Sequence, residues 1–487
     1  MWIKLTFVFA LIAMLLFIGG CSTLRNAKPW HRIDLTQEYS AKNFLQKDDD
    51  QWRDYLAQED KLFSELVEKL ADADTTDGYR YEKNSPLNPL LQTPNWNRTF
   101  VLTPNTIRGG IVMLHGLTDS PYSVRSLAQS LEKQGFLVIA LRTPGHGTLP
   151  SGLLSARWPD WAAATRLAAQ EVKRQLGDNP NFYLLGYSNG GTLALNYTLD
   201  AMLDKDLPTP KKVILLSPMI GISEFAGLSK PLEIIGHLPL LSSNRWLSKS
   251  PEYNPFKYNS FPVNAAWQAH RFSLQLQFKI LKMAKLHQLK DLPPILTFQS
   301  LMDATVKTDA LEKHLYRHLP ENNSELVLFD INRHHSFVPI TRPTATNFMR
   351  NTFAAGPHPY HLVKIGNRDA MTMEVSERRQ SAGTLDEVER PLDLAFPSGV
   401  FSLSHVALPF PVDDPMYGLT PRQDEFFGIR LGSLHLRGES NTLIIKADAD
   451  MRLYSNPFYP YMQERIFEWL DVPLTVSPDT HASTTGN

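Results

Sequence analysis

The chain has a single cysteine, Cys21, in 487 residues, so no disulfide can form within it and its core must stabilise itself. It has no surplus of charge either. Its 49 basic and 50 acidic residues leave no electrostatic footprint for nucleic acid. There is no internal repeat, no P-loop and no H-E-x-x-H, which excludes solenoid architecture, that kind of phosphate cradle and zincin chemistry. His358 and His361 flank Pro359 and Tyr360 in a loop and are not read as a metal site. No metal or organic cofactor is expected. Long apolar runs are scarce: Leu5 to Ile18, 14 residues, is too short for a comfortable membrane span.

What is present begins at the amino terminus. Met1-Trp-Ile-Lys4 is a short basic region, the apolar stretch follows, and the run ends in Ile18-Gly-Gly-Cys21. This resembles a bacterial lipobox, which implies a signal peptide, lipidation of Cys21 and a lipid anchor in the cell envelope. Ser22 after the cysteine implies, by the same resemblance, the periplasmic face of the outer membrane.

The chemistry is announced further on. Asn181-Phe-Tyr-Leu-Leu-Gly-Tyr-Ser-Asn-Gly-Gly191 is an apolar strand ending in G-x-S-x-G, and Thr192 to Leu199 reads as the helix leaving it. That pattern is a nucleophile elbow, a sharp turn that presents the Ser188 hydroxyl above a sheet. Gly186 and Gly190 are expected where backbones come too close for a Cβ. Ile111 to Leu114 forms a second buried strand, running into His115-Gly-Leu-Thr-Asp-Ser-Pro121. Such a loop supplies one oxyanion-hole amide and the residue after the nucleophile the other, here Leu117 and Asn189. His115 and His146 are read as loop-shaping histidines, since the base should follow the last strands.

His115-Gly-Leu-Thr-Asp-Ser-Pro, Arg142-Thr-Pro-Gly-His-Gly, Trp158-Pro-Asp-Trp161 and Gly186-Tyr-Ser-Asn-Gly190 resemble α/β-hydrolases of the monoacylglycerol lipase and small bacterial carboxylesterase type, a serine-aminopeptidase-like group. The resemblance is dense over residues 100–220, thinner to about 335 and weak beyond. It implies the fold and a serine esterase chemistry, and names no substrate.

The strands give the same architecture on their own terms. Near-continuous apolar strands alternating with helices mean a mostly parallel sheet covered on both faces. Pro294 to Ser300 is one such strand, and Asp303 falls just past its carboxyl end, the edge where sheets of this kind hold their sites. Asp303 is the expected catalytic acid. The base is read as His405, which follows an expected strand over Gly399–Ser404 and sits among small and apolar residues. His335 and then His334, after the strand Glu325–Ile331, are the alternatives. The resemblance favours those two on order and spacing.

Residues 1–21 are expected to be the signal peptide and 22–100 a linker and helical extension. Residues 101–220 are the first half of the core, 221–290 a helical lid, 291–335 the second half. Residues 336–455 are a β-rich insertion, with further strand-like runs at Phe426–Arg437 and Leu443–Ile445. Residues 456–472 are a closing helix and 473–487 a disordered tail. The function expected is hydrolysis of small acyl-ester or lipid substrates through an acyl-enzyme on a Ser-Asp-His triad. A serine amidase or peptidase on the same fold is the alternative, and a non-catalytic lipoprotein binding lipid or a partner is the third reading.

Overall fold

The computed structural model describes residues 27–41, 51–221, 245–303, 305–349, 353, 356–434 and 452–473. The signal peptide, Cys21, the run 443–445 and nearly all of the expected tail lie outside the described residues. So does the stretch 222–244 of the expected lid.

Strand β1 (Phe100–Leu102) is short and antiparallel to β3 (Phe136–Leu141). From β3 the sheet runs through β2 (Gly109–Leu114), β4 (Phe182–Tyr187), β5 (Lys212–Leu216), β8 (Ile295–Ser300), β9 (Glu325–Phe329) and β10 (His361–Asn367), all parallel. β11 (Glu374–Gln380) and β12 (Glu387–Ala395) continue it antiparallel, which makes ten strands in one sheet. β6 (Trp246–Ser248) and β7 (Phe261–Pro262) pair separately. Every residue of β2, β3, β4 and β8 is buried, as expected of parallel strands covered on both faces.

The two faces have separate cores. Val112, Leu114, Leu184 and Val213 point to one. There they meet Trp161 and Val172 of α3 (Trp158–Leu176), Leu195 and Leu199 of α4 (Asn189–Ala201), and Phe272 and Leu276 of α5 (Val263–Lys285). Ile111, Met113 and Leu185 point to the other, against Leu127 and Leu131 of α2 (Arg125–Lys133) and Met462 and Ile466 of α7 (Tyr459–Trp469). Each such side chain contributes about 1.5–3 kcal/mol. Helix α6 (Thr308–His314) buries Leu311 in the first core. Helix α5, expected within the lid, is thus bound to the sheet like its neighbours.

The amino-terminal extension is fastened to the core. The apolar stripe Leu62, Phe63, Leu66 and Leu70 of α1 (Gln51–Ala71) closes on Trp30, Leu35 and Tyr81. Beside it the buried Arg142, just after β3, pairs with Glu38 at 2.9 Å and Glu59 at 3.0 Å.

The later part of the chain differs from the expected layout in two ways. Part of the expected insertion is the edge of the main sheet, because β10 pairs directly with β9. Glu325 at the start of β9 binds Arg379 of β11 at 2.6 Å and Arg465 of α7 at 2.8 Å, tying sheet, edge and closing helix together. Second, Gly399–Ser404 is coil, not a strand, and His405–Ala407 is a 3₁₀ turn. Its carbonyls are taken by side chains and loop amides from the ends of β8 and β9, so no ladder forms. Residues 426–434 also form no strand; they hold only the 3₁₀ turn Leu431–Ser433.

Candidate active site

The chain leaves β2 for β3 at one side and returns to β4 on the other, so the exits of β2 and β4 lie side by side at a switch point. Ser188 stands at the β4 exit with φ 52° and ψ −113°, a conformation that non-glycine residues rarely adopt. Its backbone is fully engaged: its N–H donates to the Leu216 carbonyl at 2.9 Å, and its carbonyl accepts from Gly191 and Met219, each at 2.9 Å. The strain is enforced sterically. A Cβ on Gly190 would collide with the Leu114 carbonyl, and one on Gly186 with the Gly190 carbonyl.

The amides of Leu117 and Asn189 donate to no protein acceptor among the described residues. Both flank the Ser188 turn, one on the loop after β2 and one at the first turn of α4. Buried amides ordinarily find partners, so two left open beside a nucleophile-elbow serine are a ready acceptor site for an oxyanion.

His115 and His146 lie beneath this loop. The Thr143 amide donates to His115 Nε2 at 3.1 Å, which makes Nδ1 the protonated nitrogen, donating to the Gly116 carbonyl at 2.8 Å. Burial holds His115 well below the usual histidine range, and burial likewise brings His146 down to about 4. Both are neutral, and their rings, 5.1 Å apart, brace the loops after β2 and β3.

Asp303 lies three residues past β8. Its Oδ1 accepts from the amides of Thr305 at 2.8 Å and Val306 at 3.0 Å. His405 Nδ1 lies 3.4 Å from the same oxygen, the carboxylate 1% and the imidazole 12% exposed. That separation is longer than a good hydrogen bond. The coil bearing His405 is pinned to the sheet from both sides: Ser300 Oγ donates to the Leu403 carbonyl at 2.6 Å, and the Asn332 amide to the Phe401 carbonyl at 2.8 Å. His334 and His335 are held elsewhere. The first bonds Ser336 Oγ through Nδ1 at 2.7 Å, the second is exposed, and neither pairs with Asp303.

Beside these groups is a cavity of about 440 Å³. Its walls include Tyr187 and Val406, the chain neighbours of Ser188 and His405, and Asp119 of the loop after β2. Burial raises Asp119 to about 6. Lys257, Tyr253, Arg452 and Tyr454 line it as well. No role for these side chains follows from the sequence, although Asp119 lies within His115–Pro121 and Tyr253 and Lys257 within the expected lid. Among the described residues no cluster of histidine, cysteine or carboxylate side chains could hold a metal, and no helix is long and apolar enough to cross a membrane.

Residues 110–319 match the family model for the alpha/beta hydrolase fold, and this fold is what the sheet order and the Ser188 elbow define. The chain resembles monoacylglycerol lipases: over 172 residues it is 26% identical to a thermostable monoacylglycerol lipase of Bacillus sp. (strain H-257). That alignment covers 35% of this chain and 64% of the relative, so the chain spans less than two thirds of the relative's length. Among solved structures, a monoacylglycerol lipase of Paleococcus ferrophilus is 16% identical at a TM-score of 0.34, over 47% of this chain and 86% of that one. A soluble variant of the monoglyceride lipase of Saccharomyces cerevisiae is 15% identical at 0.36, over 47% and 81%.

Proposed function

We propose that this protein is a serine hydrolase that cleaves small acyl-ester or lipid-like substrates through an acyl-enzyme. The observation that carries the reading is a strained elbow serine set beside two unpaired amides. Ser188 Oγ attacks the ester carbonyl and His405 takes its proton. Asp303 holds the imidazole by Nδ1–H and stabilises the imidazolium without itself being protonated. The amides of Leu117 and Asn189 receive the oxyanion, each worth about 3 kcal/mol in comparable sites. His405 then returns the proton to the leaving alcohol, and water, activated by the same imidazole, releases the acid. The buried Asp303 contact to His405 supports that histidine over His334 and His335 as base. Cys21 is proposed as the lipid attachment point, holding the enzyme at the periplasmic face of the outer membrane.

The test is labelling by a fluorophosphonate together with turnover of p-nitrophenyl esters from C2 to C16. Stoichiometric label and ester turnover, both lost in Ser188→Ala, are expected. Ser188-dependent cleavage of aminoacyl arylamides without ester cleavage would move the assignment to an amidase. Absence of label would leave a binding protein.

A further inference from the structure

The cavity beside Ser188 is completed by parts of the chain that lie outside the family match at 110–319. Phe410, Tyr417 and Leu431 come from the region after β12, and Arg452 and Tyr454 from the approach to α7. Two of these walls, Phe410 and Tyr417, pack against the buried Tyr122. Tyr122 stacks on Phe256 at 3.8 Å between centroids, and Phe410 lies 4.1 Å from Tyr417. Buried Asp414 accepts from the Tyr122 hydroxyl at 3.0 Å and from the Tyr417 amide at 2.8 Å. The fold therefore spends a second set of buried polar contacts on the shape of this pocket, separate from those that set Ser188.

Its charge is one-sided. Among the described residues three cationic side chains line it, Lys249, Lys257 and Arg452, against one carboxylate, Asp119. Among the described residues neither Lys257 nor Arg452 forms an ion pair within 4 Å, although ion pairs are common elsewhere in the molecule. Asp119 feels the charge of Lys257 but makes no ion pair with it within 4 Å, and its oxygen takes a 3.3 Å bond from the Ser120 amide. Lys257 is half-buried and Arg452 exposed at the mouth of this partly enclosed site, and cations gathered at a concave wall attract an anion more strongly than isolated ones in bulk solvent. A planar guanidinium is suited to a carboxylate or phosphate.

We infer that the ester taken by this site carries a negative charge, a carboxylate or a phosphate, on the part of the substrate that enters the pocket, where Lys257 and Arg452 receive it. The inference rests on the hydrolase reading for its chemistry, and it departs from a neutral glycerol ester, which offers these cations nothing to pair with.

The experiment compares two esters of matched length on the full chain in a neutral detergent: p-nitrophenyl butyrate and the p-nitrophenyl monoester of glutaric acid. A lipid pair, 1-acylglycerol and its 3-phosphate, distinguishes a lipid headgroup from a free acid as the source of the charge. The anionic member is expected to be turned over at least about tenfold more efficiently, through KM, and Lys257→Gln or Arg452→Gln to lower that ratio about tenfold. Lys257→Arg should retain it. Equal efficiency for both members of both pairs, with turnover still dependent on Ser188, overturns the inference and leaves the hydrolase standing. Calorimetric binding of monobenzyl glutarate against benzyl butyrate, with Ser188→Ala in the background of every protein compared, reads the pocket without turnover. Binding of the anionic compound that the double variant Lys257→Gln, Arg452→Gln loses supports the inference even if no ester is cleaved, and equal or absent binding of both compounds overturns it.

Discussion

The two sides of the candidate site are held in different ways. On the nucleophile side the backbone itself is the device. Ser188 is forced into its turn by glycines that carbonyls crowd, and the two buried histidines fix the loops beneath. On the base side no strand or α-helix carries the residue. His405 opens a single 3₁₀ turn, and the coil before it has its carbonyls caught by Ser300 and Asn332, one from each of two neighbouring strand ends. Steric fixation fails all at once. Fixation by side-chain hydrogen bonds fails one bond at a time.

This contrast can be broken at its strongest point. Gly190→Ala places a methyl group against the Leu114 carbonyl, and the expected result is no soluble folded enzyme, or folded protein with no fluorophosphonate labelling at Ser188. Next in size, His405→Ala should lower kcat on p-nitrophenyl esters by about 10³-fold or more, while His334→Ala and His335→Ala change it by about twofold at most. A loss at His335 equal to that at His405 would remove the base assignment.

The nucleophile side should also be the one that acid attacks. His146 is buried and neutral, its pKa held near 4 against 6.5 for the free side chain. The unfolded chain takes up that proton first. The stability tied to its neutral form is therefore complete above pH 6.5 and falls away as pH drops towards 4, by about 3 kcal/mol for this one ring. Urea midpoints measured from pH 7 to 4.5 should decline, and His146→Asn should flatten the decline even if it lowers the value at pH 7. The smallest effect is on the base side. Ser300→Ala removes one bond to the Leu403 carbonyl and should cost about 1 kcal/mol of stability, with a several-fold loss in kcat and a KM little changed.

The same contrast explains what could be read from the sequence. Strands β2 to β5, the elbow and the loop after β2 were legible because each is fixed by local rules, an apolar run or a glycine where backbones meet. The buried stripe of α1 and the helix near the carboxyl terminus followed from helical spacing in the same way. The segment before His405 was read as a strand because Val400, Phe401 and Leu403 are apolar. It is coil because its backbone partners come from residues some 70 to 100 positions earlier. The edge strands were visible as strands, but their junction with β9 was not, since no local feature of Leu362–Ile365 names its partner. The cavity was illegible for the same reason: Asp119, Lys257 and Arg452 meet only through the tertiary fold.

A sheet of ten strands has to end, and its far edge bears on how these molecules treat one another. β12 leaves Glu387, Glu389, Arg390 and Asp393 exposed, and Pro391 in its middle has no N–H to offer. Arg378 and Glu377 of β11 already pair across to Glu389 and Arg390, at 3.1 Å and 2.9 Å. A strand from a second molecule could extend the sheet only by stripping water from these charges and by accepting a gap in the ladder at the proline. For a protein proposed to sit crowded on a membrane by a lipid anchor, that edge keeps neighbours from joining sheet to sheet.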